Sequence, residues 1–191
     1  MRVTCNFTRA GWLLVLLLLT SLWVPCSRAG TITVTAGDEH ITNDIVMVDA
    51  DADIRFSEDA IKAIDSGVPI TIEFDVRVSR PRKLLWDMEI LNTHREFTIE
   101  RHALSKQFIL ADQVTGTRRI HGSLQVAIDD LGRIRNIPIA EAGQMIGASN
   151  LIFAIRLRLA IRSLPGPLIP VAYISPSWHM SSGWFRWHSR Q

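Results

Sequence analysis

The stretch "ITIEFDVRV", residues 70–78, decides the fold. Its apolar residues Ile70, Ile72, Phe74, Val76 and Val78 take every second position, and Thr71, Glu73, Asp75 and Arg77 take the positions between them. Successive side chains of a strand point to opposite faces of a sheet, so the segment has one dry face and one wet one. The later stretch "LIFAIRLRLAIR", residues 151–162, repeats the pattern. Leu151, Phe153, Ile155, Leu157, Leu159 and Ile161 share a face, opposed by Arg156, Arg158 and Arg162. Parallel strands covered on both faces read as continuous apolar runs, so this alternation predicts antiparallel sheet with one solvated side.

Outward from these two segments, strands are predicted at residues 31–35, 45–56, 85–91, 96–104, 107–111, 117–121 and 168–174. The triplets "NTH" (92–94) and "VTG" (114–116) and the tetrad "LPGP" (164–167) read as turns joining them. Two helices interrupt the strands. Ser57 caps "EDAIKAID" with Gly67 as its stop, and Ser123 caps "LQVAIDDL" with Gly132 as its stop. A third, weaker helical turn is predicted over 139–145. The fold class is therefore mainly β: an antiparallel β-sandwich of about eight or nine strands with two short connecting helices, in which two apolar sheet faces cover each other.

The first thirty residues read differently. Arg2 and Arg9 precede a largely apolar run over 12–24, and a polar segment ends in "CSRAG", the order of parts in a secretory signal peptide. The run is shorter than the ~18 residues of a membrane span. Small residues at Ser27 and Ala29 place the cut after Ala29, leaving residues 30–191 as a single β-sandwich domain in the periplasm; the competing reading is an uncleaved anchor, the chain's one means of touching a membrane. Removal of the leader takes both cysteines, Cys5 and Cys26, so the exported chain would have no disulfide to form. The 21 basic and 19 acidic residues of the full chain become 18 and 19 once Arg2, Arg9 and Arg28 leave. A net charge of −1 argues against nucleic acid as a partner.

Several spaced motifs carry a resemblance: Trp86 with Asp87, His102-Ala103-Leu104, Leu131-Gly132-Arg133, Arg156 with Arg158, and the tail from Trp178 to Trp187. In this order they resemble the domain-of-unknown-function family 4390, exported proteins of Gram-negative bacteria. The resemblance covers nearly all of the chain after the leader. It implies an envelope location and a gene neighbourhood containing a membrane sensor kinase, and hence an inner-membrane partner such as that kinase. It supplies no catalytic residues.

The chemistry-bearing groups each have a bland reading beside the sharp one. Asp49, Asp51 and Asp53 in "DADAD" lack the glycine and glutamate of an EF-hand, with Ile54 and Ala60 at those positions; they read as a solvated strand face. The six histidines show no zinc spacing, so no metal and no cofactor are expected. His102 shares its parity with Glu96, Thr98 and Glu100, where carboxylates would favour its charged form; the alternative is a turn-adjacent surface histidine. Carboxylates two apart, Glu73 with Asp75 and Asp87 with Glu89, suit acid/base work in a cleft or the pairing of arginines on a neighbouring strand. Arg156 and Arg158 either grip an anionic ligand or form a cross-strand ladder with Glu73 and Asp75. In "SPSWHMSSGWFRW" the tryptophans Trp178, Trp184 and Trp187 either plug the sandwich's open end or form an exposed patch, with Gly183 allowing a bulge that re-aims the last two.

The sequence-based expectation is a non-enzymatic exported module that works by binding, with Trp86, Asp87, His102, Arg156, Arg158, Trp178, Trp184 and Trp187 as its binding residues. Two other readings stay open: a carrier or chaperone for an apolar ligand, and an envelope hydrolase using a carboxylate and His102.

Overall fold

The computed structural model describes residues 29–82, 84–145 and 150–189. The leader, with Cys5 and Cys26, lies outside the described residues. No helix among those described is long and apolar enough to cross a membrane.

Nine strands form two antiparallel sheets among the described residues. The three-stranded sheet has the order β1-β2-β7 and uses β1 (Thr31–Thr42), β2 (Ile45–Arg55) and β7 (Arg133–Glu141). The six-stranded sheet has the order β6-β5-β4-β3-β8-β9 and uses β3 (Ile70–Arg80), β4 (Met88–Arg101), β5 (Phe108–Asp112), β6 (Arg118–His121), β8 (Ile152–Leu159) and β9 (Phe185–His188). Helix α1 (Glu58–Asp65) links β2 to β3, and α2 (Leu124–Leu131) links β6 to β7. A third helix, α3 (Ile169–Ile174), precedes β9.

The core joins the inner faces of both sheets. Val48 and Ile54 of the small sheet and Ile72, Phe74, Phe153 and Leu157 of the large one belong to a single buried cluster. The alternation behind this is the one visible in the sequence: Val46, Val48, Ala50 and Ile54 of β2 turn inward, while Asp49 and Asp51 turn out. Ser57 and Ser123 cap their helices as predicted, accepting the backbone N–H of Ala60 at 3.3 Å and of Val126 at 3.4 Å.

Four expectations are corrected. Residues 92–94 do not turn: β4 runs unbroken through them, so Asn92, Thr93 and His94 pair with Arg77, Val76 and Asp75 of β3. Polar residues in a strand need not mark a turn when they lie on its outward face. Residues 168–174 are not a strand; Pro165, Pro167 and Pro170 favour the two short helical pieces found there, and Arg162 leaves the sheet in the 3₁₀ turn Ile161–Ser163. The helical turn predicted at 139–145 is only its second half, Ala142–Met145, because β7 continues to Glu141. Finally, β3 has no wet face. Thr71 and Asp75 are 6 % and 7 % exposed because neighbours roof them over.

Candidate functional site

Arg156 and Arg158 are the first candidates the structure sorts. Antiparallel pairing of β3 with β8 sets Asp75 opposite Arg156 and Glu73 opposite Arg158. Arg156 donates to Asp75 Oδ2 from Nη2 at 2.7 Å and from Nε at 3.1 Å. Arg158 reaches Glu73 at 2.6 Å and Asp75 at 3.3 Å. The arginines thus form the cross-strand ladder with carboxylates of the same sheet. Arg77 similarly lies 2.9 Å from Glu89.

The C-terminal tail covers this ladder and the end of the core. Trp178 sits in a 3₁₀ turn and is buried with Met180. The backbone then pairs along β8, with Leu159 N–H donating to Met180 and Ser182 N–H to Leu157. Gly183 takes φ = 68°, a conformation that costs glycine little. The chain turns there and lays the Trp184 indole over the ladder, 4.6 Å from the Arg77 guanidinium and 4.5 Å from that of Arg156. Trp187, on β9, faces the other way. It stacks on Phe153 with ring centroids 5.5 Å apart, and its indole N–H donates to Glu39 on β1. Gly37 makes this approach possible, since a Cβ there would lie 2.8 Å from the indole. The bond from Trp187 to Glu39 joins the edge strands β1 and β9, so Trp187 closes one side of the sandwich, while Trp184 covers the outer face of the large sheet.

His102 lies just past β4, at the start of the β4–β5 turn. Its Nδ1 faces Ser105, whose N–H lies at 3.3 Å and hydroxyl at 3.2 Å. The strand ends before His102, so its expected alignment with Glu96, Thr98 and Glu100 is lost, and the group is the turn-adjacent surface histidine.

Trp86 and Asp87 stand apart from the rest. They lie at the β3–β4 hairpin end, where Leu84 is 96 %, Trp86 82 %, Leu85 57 % and Met88 45 % exposed. Single exposed apolar residues are ordinary, but four within five positions form a patch.

Sequence reasoning missed one feature. On the side opposite Trp187, β7 and the β4–β5–β6 portion of the large sheet flank an open cleft of about 520 Å³, with Arg95, Arg119, Arg133 and Arg135 among its lining residues. Three of the four are neutralised: Arg95 by Asp112 at 3.3 Å, Arg119 by Asp130 at 2.8 Å, and Arg135 by Asp51. His121 Nε2 also lies 2.9 Å from Asp130, a close contact without hydrogen-bond alignment. Burial alone would raise the pKa of Asp112, but hydrogen bonds from Val114 and Thr115 and the charge of Arg95 outweigh it and hold the carboxyl below its ordinary range. The "DADAD" run lies on the solvated face as expected, with Asp49 accepting from the Asn136 backbone at 2.6 Å. Among the described residues no group of acidic, histidine or cysteine side chains is arranged to hold a metal.

The sequence profile of a domain of unknown function, DUF4390, matches residues 29–188. The chain belongs to that family. No curated protein and no solved structure matches it. In this DUF4390 domain the motifs on which the resemblance rested do different work. Leu131-Gly132-Arg133 joins α2 to β7, where Gly132 packs so closely that a Cβ would lie 2.4 Å from the Ala52 carbonyl oxygen. The Arg156, Arg158 and tail motifs build the covered face. Trp86 with Asp87 and the His102-Ala103-Leu104 turn are the motifs exposed at every residue.

Proposed function

We propose that this DUF4390 domain is an exported, non-enzymatic interaction module of the bacterial cell envelope, and that the β3–β4 hairpin end is its contact element. The observation that supports the reading is the exposure of Leu84, Leu85, Trp86 and Met88 together, on a molecule whose arginine face is satisfied by its own carboxylates. Such a patch weakens solubility unless something covers it. The leader read in the sequence supplies the route to the envelope, and the family match begins at residue 29, beside the cut after Ala29. The kinase neighbourhood implied by the family suits a module that works at a membrane. His102, bonded to Ser105, lends no support to a hydrolase.

A photoreactive side chain at position 86 in living cells tests the proposal. It should give an adduct with an envelope component well above that obtained from position 126, an exposed site on α2. Equal yields from the two positions would overturn it.

A further inference from the structure

We infer that the β3–β4 hairpin end inserts into the surface of a bilayer containing anionic lipid, with Leu84, Leu85 and Trp86 in the interface and Arg80 and Arg82 on headgroup phosphates. The inference rests on the reading of this end as the contact element and names what it contacts.

Three observations support it. The first is order along the chain. Residues 80–88 read "RPRKLLWDM", three cations followed by the apolar group and a single acid. Arg80 pairs with Met88 across the hairpin, so Leu84 and Leu85 fall at the middle of the connection, with Arg82 on the arm leaving β3 and Trp86 on the arm entering β4; a bilayer surface offers phosphates to the one and hydrocarbon to the others. The second is availability. Arg80 and Arg82 are exposed, and neither has a carboxylate partner among the described residues, while Arg77 just before them is held by Glu89. A domain of net charge −1 after loss of the leader is not drawn to an anionic surface as a whole, so attraction must come from this local excess. The third is size and residue type. Four side chains on a hairpin end offer less than the ~800 Å² per partner of a stable protein interface. A fluid bilayer accepts a small protruding tip, and tryptophan favours its interface.

A second exposed apolar group, Val171, Tyr173 and Ile174 on α3, provides an internal control. It lies beyond the far end of β8, whose first residue Ile152 pairs with Ser79 beside the hairpin end. Its neighbouring 3₁₀ turn carries one cation, Arg162.

The exported form proposed above, residues 30–191, is the material to use. Its sedimentation with vesicles of phosphatidylcholine alone is compared with vesicles also containing phosphatidylglycerol. Binding should be about tenfold or more tighter to the anionic vesicles and should weaken as salt rises. The double variant Arg80→Gln/Arg82→Gln should lose most of that preference, Leu84→Ser/Trp86→Ser should lose binding altogether, and Ile174→Ser should bind like the parent. Equal binding to the two vesicles, no binding to either, or undiminished binding by Leu84→Ser/Trp86→Ser would overturn the inference. Adducts from position 86 with protein alone would overturn it too, while leaving the interaction module standing. All these positions are exposed, and an unchanged thermal midpoint verifies that the variants fold.

Discussion

The Trp184 indole lies 4.5 Å from the guanidinium of Arg156, on the face away from the core. Behind it Arg156 and Arg158 share Asp75, at 2.7 and 3.3 Å. The carboxylate is nearly covered while both guanidiniums are part-exposed, so replacing Asp75 by Ala leaves Arg156 without its carboxylate and Arg158 held by Glu73 alone. A loss of about 2 kcal/mol is expected. Trp184→Ala removes two cation–π contacts and the cover itself, and should cost about 1–2 kcal/mol. Urea unfolding measures both. A cost under about 0.5 kcal/mol for Asp75→Ala, the range of ordinary surface changes, would show that the ladder does not hold the sheet together.

Four tryptophans follow the leader, and the structure treats them unequally. Trp178 is 5 % exposed and Trp86 82 % exposed, with Trp184 and Trp187 between them. Iodide should therefore quench one part of the emission readily, and Trp86→Phe should abolish that part and leave a blue-shifted remainder. Stability should divide the same way. Trp178→Ala should cost about 3–5 kcal/mol and Trp86→Phe less than about 0.5. If Trp86→Phe leaves quenching unchanged, the hairpin end is covered in solution.

The sheet elements that were legible in the sequence are those where a period of two is written in apolar residues. In β3 and β8 the alternation also offered the pairing of Arg156 and Arg158 with Glu73 and Asp75 as one of two readings, beside the grip on an anionic ligand, and the β3–β8 register decides for it. Where the code was not apolar it failed. The outward Asn92 and His94 of β4 resemble a turn until β3 is seen beside them. In β7, Asn136 has φ = 53° and Pro138 cannot donate to a ladder, so Arg133–Glu141 carries weak strand signals although it pairs with β2. The exposure of Trp86 was equally hidden, since composition does not say whether a tryptophan lies under a sheet or at the end of a hairpin. The cleft beside β7 needs two sheets of unequal width, which no local pattern encodes.

Trp187 fits beside β1 only because Gly37 has no side chain. A Cβ there would approach the indole to 2.8 Å, and neither ring nor strand can retreat freely with Phe153 stacked behind. Gly37→Val should cost about 1–3 kcal/mol. Since the cost arises from a single contact, it should not add to that of Trp187→Ala: the double variant should be more stable than the sum of the singles implies. Strict additivity in urea unfolding would mean that Gly37 matters to the backbone of β1 and not to the indole.

Asp112 makes acid stability testable at one carboxylate. Its pKa is held below the ordinary value near 3.9 by bonds from Val114 and Thr115 and by Arg95, which together outweigh the opposing effect of burial. A depressed pKa means that the folded state favours the charged form, so the stabilisation is complete above the unfolded value and fades as pH falls through the folded one. Asp112→Asn keeps an oxygen to accept the two backbone N–H groups but removes the charge facing Arg95, much as protonation does. It should cost about 1–2 kcal/mol at pH 7. The gap between parent and variant should stay constant down to about pH 4 and then close, because acid turns the parent into the state that asparagine imitates. A gap that persists undiminished to pH 2 would place the stabilising role of Asp112 in its shape and not in its charge.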